Sequence, residues 1–196
     1  IKKIFPDKPI LLFGPHHLES IVSSDGGFKF IAFDVKFFKD KYTYSELLCS
    51  LEFYQSFANY DFIQIVQTDC WVFEDKLDYF ASADFDYLGA PWMKNGFEGK
   101  PVPKLWKVGN GGFSLRKVSS FLSIINQIKK TKKGTVPVFK NFDNGIIGTL
   151  KKRGINNNLR HYIKSPPGED IFWSIYVPLV FKTEEFKVAD VTSAAF

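Results

Sequence analysis

Asp69 is the first carboxylate in the chain whose position suggests chemistry. It follows the apolar run Phe62-Ile-Gln-Ile-Val66 and the polar pair Gln67-Thr68. β-Branched residues in that run favour a buried strand over a helix face. In an open α/β sheet, ligands sit just beyond the carboxyl ends of strands, so a functional carboxylate is expected at Asp69. A short polar residue at a strand end also caps the next turn, and both readings stand at this point. A second stretch, Lys107-Val-Gly-Asn-Gly-Gly-Phe-Ser-Leu-Arg116, carries glycines at 109, 111 and 112. They bring backbone close to something, either a ligand or a neighbouring strand. It is no P-loop, since no Gly-Lys-Ser/Thr closes it, and its glycine spacing is not that of a dinucleotide fingerprint. Glu169 and Asp170 follow Ser165-Pro-Pro-Gly168 and open a segment that reads as a helix start, where the dipole alone favours carboxylates. His16 and His17 are adjacent in a loop and unsuited to share a metal as an i, i+4 pair would.

These residues need elements to hold them. The run from Lys8 to Gly14 reads as a strand between prolines, and residues 28–33 alternate enough for another. Residues 44–57 switch to helical spacing through Leu47, Leu48, Leu51, Tyr54 and Phe57, with Ser45 as a cap, and lead directly into the strand at Phe62. A short helix is expected after Glu74-Asp75-Lys76, and a brief strand over residues 86–92 stopped by Pro91. Residues 94–103 form a Gly- and Pro-punctuated loop over the site. Residues 117–130 form a helix with Val118, Phe121, Leu122, Ile125 and Ile128 on one face. Residues 142–150 and the Asn156-Asn-Asn158 loop carry no clear pattern, and 171–176 reads as one or two helical turns ended by Pro178.

At 196 residues, with 45% hydrophobic and 24% charged content, the chain fits one soluble domain with a real core. Most of its 22 Phe belong to that core. Every apolar run is interrupted by Pro, Lys or Asp, so no membrane-spanning helix is expected. The net charge of +5 includes Lys129, Lys130, Lys132, Lys133, Lys151, Lys152 and Arg153. Such clusters are solvated faces more often than phosphate or membrane contacts. Nucleic acid is not an expected partner, because no recognisable binding motif accompanies the charge. Cys49 and Cys70 make neither a disulfide framework nor a zinc site, which fits a reducing, cytoplasmic setting. The chain opens on Ile1 rather than Met, which reads as processing or a fragment.

Four motifs stand in one order: Gln67-Thr-Asp-Cys-Trp-Val-Phe73, Gly89-Ala-Pro-Trp92, Gly109-Asn-Gly-Gly-Phe-Ser-Leu-Arg116 and Glu169-Asp-Ile-Phe-Trp173. Together they resemble a family of glycosyltransferase-like bacterial proteins known chiefly as a domain of unknown function. More loosely, the set is similar to the nucleotide-sugar-dependent glycosyltransferases of the GT-A fold. The resemblance implies one α/β domain over 1–196, with a GT-A-like (Rossmann-like) central mixed sheet flanked by helices and truncation conceivable at either end. It implies that Asp69 holds a divalent cation, Mn²⁺ or Mg²⁺, against the donor diphosphate. Gln67 stands where many members carry a first aspartate, which puts metal dependence in question. Donor and acceptor binding would fall to Gln67, Thr68, Asn110, Gly111, Gly112, Phe113 and Ser114. Trp92 or Trp106 would stack on a sugar face, and Arg116 would either neutralise phosphate or face solvent.

In inverting members an acidic pair supplies the general base. The resemblance assigns that role to Asp170 with Glu169 binding acceptor, or the reverse. The implied activity is an inverting glycosyl transfer from a nucleotide sugar to a glycan or glycolipid in surface-polysaccharide assembly, with peripheral contact at the inner face of the membrane. Relatives usually carry an additional N-terminal nucleotide-binding strand and a terminal metal-binding histidine, neither of which is evident here. An alternative is therefore a catalytically inactive glycan- or nucleotide-binding module of the same fold. A third class, a polyanion- or membrane-surface-binding protein, rests on the basic clusters alone.

Overall fold

The computed structural model describes residues 1–24, 28–94, 104–130 and 158–195. Strand β1 (Leu11–Pro15) leads through a 3-10 turn, His16–Leu18, into helix α1 (Glu19–Ser24) and then strand β2 (Lys29–Phe33). β1 and β2 pair in parallel, with Leu11 opposite Lys29 and Pro15 opposite Phe33. The expected histidine loop is thus a helical turn.

The helix expected over 44–57 is two helices, α2 (Lys41–Leu48) and α3 (Leu51–Gln55). Asp40, not Ser45, caps the first. Its side chain accepts from the backbone N–H of Tyr42 and Thr43, while Ser45 lies inside the helix and bonds back to the Lys41 carbonyl. The break falls where Ser50 accepts from Phe53 N–H at 3.1 Å and starts a new helix. A helix C-terminus leaves carbonyls unpaired. That of Leu48 is satisfied by Tyr54 Oη at 3.0 Å and by Trp173 Nε1 at 3.1 Å. Two aromatic groups thus tie the break into the core.

Strand β3 (Phe62–Val66) falls on the predicted run. After helix α4 (Leu77–Ser82) come β4 (Tyr87–Lys94) and β5 (Lys104–Lys117), which form a sheet ordered β3-β5-β4 with both pairings antiparallel. Pro91 does not stop β4. The strand passes through it with register shifts on both sides of Ala90, which an edge strand tolerates because a missing N–H there breaks no ladder. β5 continues directly into helix α5 (Val118–Lys130), whose Val118, Phe121, Ile124, Ile125 and Ile128 are buried. From Glu169 one α-helical turn to Ile171 passes into a π-helical stretch, Phe172–Tyr176, and then a 3-10 turn through Pro178. The core is aromatic: the ring of Phe121 lies 4.7 Å from Tyr54 and 4.3 Å from Trp173. Of the expected loop over 94–103, Lys94 ends β4, and residues 95–103, the 142–150 stretch and the basic residues of 132–153 lie outside the described residues. Among the described residues, no helix is long and apolar enough to cross a membrane.

Candidate functional site

The sequence-derived site residues gather around the middle of β5. At the end of β3, Gln67 N–H donates to the Gly112 carbonyl at 2.8 Å, and Cys70 N–H then closes a turn onto the Gln67 carbonyl at 2.9 Å. Gln67, Thr68 and Asp69 are exposed on that turn. The Cys70 thiol reaches the Gly112 carbonyl at 3.3 Å and lies 3.9 Å from Asp69 Oδ1. Asp69 therefore stands beside the glycine segment, but on an open turn.

The glycines answer the question their spacing raised. A Cβ on Gly111 would collide with the Glu169 carboxylate, and one on Gly112 with the Gln67 amide. At Gly109 the Trp92 ring would lie only 2.5 Å away. The close approach at these glycines is made by side chains of this protein, which accounts for the lack of a Cβ at Gly109, Gly111 and Gly112. Asn110, exposed, accepts from Gly112 N–H at 3.0 Å and holds the local bend. Trp92 and Trp106 stack with ring centres 6.0 Å apart, and Trp106 is half exposed. Phe113 is half-buried opposite Val66.

Arg116 neither faces solvent nor waits for a phosphate. It is fully buried, and its guanidinium donates to Ser114 Oγ (3.0 Å), Tyr54 Oη (2.9 Å), the Gly111 carbonyl (3.3 Å) and Glu169 Oε2 (2.9 Å). Ser114, also buried, donates to the Gly111 carbonyl at 2.8 Å. A buried guanidinium needs such complete pairing, because an unpaired charge in the interior is strongly destabilising. Glu169 is thus a structural counter-ion, and burial pushes its carboxyl up to about 7 against the pull of Arg116.

Asp170 differs from its neighbour. It is half-buried; Oδ1 accepts from Ile171 N–H at 2.8 Å, while Oδ2 has no partner among the described residues. Burial raises its carboxyl above the usual aspartate range, opposed by the Ile171 N–H and by the charge of Arg116. Tyr44 links the two sides: its hydroxyl hydrogen-bonds the Gln67 side chain and feels the charges of Arg116 and Glu169, and burial raises its pKa. Tyr44, Tyr54, Cys70 and Tyr87, whose hydroxyl donates to the Gly109 carbonyl at 3.0 Å, are not among the site residues read from sequence. Tyr44 and Tyr54 are ten residues apart in a stretch read only as a helix face, and nothing in that pattern marks their hydroxyls.

The cation implied by the resemblance was tested against these donors. A hard divalent cation takes six or more oxygen ligands. Among the described residues, no group of three or more His, Cys, Asp or Glu side chains is placed to hold a metal. Among the described residues the Cys70 thiol is the side chain placed beside Asp69, so these residues do not fit a cation site made by protein alone. Two cavities, about 600 and about 300 Å³, lie along the start and flank of β1, and none of the site residues lines either one.

The model of one protein family, described as a protein of unknown function (DUF5672), matches residues 27–196. No curated protein and no solved structure matches the chain.

Proposed function

We propose, from the premise that this chain belongs to the DUF5672 family, that it is a GT-A-like inverting glycosyltransferase that uses a nucleotide sugar. The observation that carries this reading is Asp170, a half-buried carboxylate with Oδ1 fixed by backbone and Oδ2 without a partner among the described residues, beside a fully compensated buried ion pair. A group so held is suited to accept a proton: one oxygen is immobilised, the other is available, and its basicity is raised by burial. In the proposed step, Asp170 takes the proton of the acceptor hydroxyl as that oxygen bonds to the anomeric carbon. The bond to the nucleoside diphosphate breaks, and the diphosphate leaves with the electron pair. A single displacement inverts the anomeric centre. Asp170 is the base, and Glu169 fixes Arg116 and the glycine segment instead of binding acceptor. Asp69, Thr68, Asn110 and the Trp92–Trp106 pair line the exposed side where donor and acceptor would lie. The acceptor in this proposal is a glycan or glycolipid of a surface polysaccharide, with the protein on the cytoplasmic side of the membrane.

The test is nucleotide release from a panel of nucleotide sugars, with Mn²⁺, with Mg²⁺ and with EDTA. Turnover that is lost in Asp170→Asn supports the reading; wild-type turnover unaffected by that change sinks it. A second reading, a glycan- or nucleotide-binding module without turnover, is favoured by one observation, the exposed Asp69 that belongs to no metal-holding group of side chains among the described residues. Binding of a nucleotide sugar indifferent to EDTA, with no product from any donor, would select it.

A further inference from the structure

Within the motif Gln67-Thr-Asp-Cys-Trp-Val-Phe73, the two aromatic residues have no part in the chemistry described above. Trp71 and Phe73 are the most exposed large apolar side chains among the described residues, at 79% and 87%, while Val72 between them is buried. The backbone that carries them is held on both sides. Cys70 N–H donates to the Gln67 carbonyl at 2.9 Å and the Cys70 thiol meets the Gly112 carbonyl at 3.3 Å. Further along, Asp75 Oδ1 accepts from Leu77 N–H at 3.0 Å where α4 begins. A solitary exposed apolar side chain is ordinary. Two rings presented on either side of a buried anchor make a surface suited to contact.

That surface adjoins the proposed site. The Gly112 carbonyl that receives the Cys70 thiol belongs to the glycine segment of β5, and a Cβ on the adjoining Gly111 would meet the carboxylate of Glu169, the neighbour of Asp170. Neither ring lines the cavities of about 600 and about 300 Å³, so the platform is open, which suits an extended chain better than a small enclosed ligand.

Charge decides which chain. Aromatic residues that anchor a protein to an anionic membrane are accompanied by Lys and Arg. Here the balance is reversed. In a protein of net charge +5, residues 69–79 carry Asp69, Glu74, Asp75 and Asp78 against Lys76. Lys76 pairs with Glu74 and Lys8 with Asp78, which still leaves the segment negative. Such a face repels phospholipid headgroups and acidic polysaccharides alike. It suits a neutral glycan, whose apolar C–H faces stack on aromatic rings while its hydroxyls donate to carboxylates.

We propose that Trp71 and Phe73 form the acceptor platform of this site, binding a neutral glycan chain through sugar units beyond the one that reacts. The proposal rests on the transferase reading and gives its acceptor a chemical class, an uncharged oligosaccharide or polysaccharide. Trp71 and Phe73 hold the chain and take no part in bond making.

The test measures binding of maltohexaose, cellohexaose and chitohexaose by calorimetry without any donor, alongside nucleotide release from the donor panel. Wild type should bind at least one of the three. Trp71→Ala should bind it about tenfold more weakly with an unchanged urea midpoint, and Trp71→Tyr should restore most of the affinity. Binding to none of them, or equal binding by Trp71→Ala, overturns the platform. So does a preference for hexagalacturonate or for phosphatidylglycerol vesicles. The two readings fail separately. Glycan binding without nucleotide release removes the transfer step and keeps the platform, whereas nucleotide release without glycan binding removes the platform and keeps the base.

Discussion

Two acidic positions flank the same pair of glycines, and they are built in opposite ways. Glu169 is buried and paired to Arg116 inside a network of Ser114, Tyr54 and the Gly111 carbonyl, and half-buried Asp170 is held by its own helix through Oδ1, with Oδ2 without a partner among the described residues. Asp69 stands on an exposed turn with the Cys70 thiol 3.9 Å from its Oδ1. Both belong to motifs of similar sequence weight. The difference teaches that two acids named by similar motifs are embedded unequally: geometry is fixed on the glutamate–aspartate side, which is where the proposed chemistry is assigned, and open at the strand-end aspartate.

The sharpest way to break this contrast is through stability. Glu169→Ala leaves Arg116 buried and unpaired and should cost about 3–5 kcal/mol, read from denaturant unfolding, whereas Asp69→Ala should stay within about 0.5 kcal/mol of wild type. Equal effects would mean the two acids are not differently embedded. Next in size is a pH effect. Glu169 titrates at about 7 in the folded chain against an ordinary 4.5, so between these values the native state holds a proton that the unfolded state has released. Its contribution to stability is complete below 4.5 and declines as pH rises through about 7. Urea midpoints measured across that window should fall with pH in wild type, and the slope should flatten in Glu169→Gln. That variant also leaves Arg116 without its counter-charge, so the acidic limb of any turnover should move to lower pH. The smallest expected effect is at the exposed aromatic pair: Trp106→Ala should weaken donor or acceptor binding by roughly tenfold with no loss of stability. A KM unchanged in that variant would remove Trp106 from the binding surface.

Much of this contrast was legible in the chain. The run at Phe62 gave a strand with the expected ends, and α5 follows its apolar spacing, because both signals are local periodicities. The break between α2 and α3 was not legible, since it depends on Tyr54 and on Trp173, distant in sequence, reaching one carbonyl of Leu48. Pro91 read as a stop because its neighbours could not show that β4 lies at a sheet edge. The glycines were correctly seen as places of close approach, but sequence spacing cannot say what approaches. Arg116 illustrates the limit best: its type suggested phosphate, whereas burial beside Glu169 shows a structural cation. Asp69 and Asp170 were both named, yet their unequal settings became visible only once the third dimension was known.

The most direct measurement is the pH dependence of nucleotide release from a nucleotide sugar by wild type and by Asp170→Asn. The account predicts a wild-type rate that falls on acidification through a carboxyl raised above the aspartate range. In the variant that limb should vanish and the rate should drop by about 10²–10⁴-fold. A variant as fast as wild type, with the same acidic limb, would contradict the assignment of Asp170 as the base.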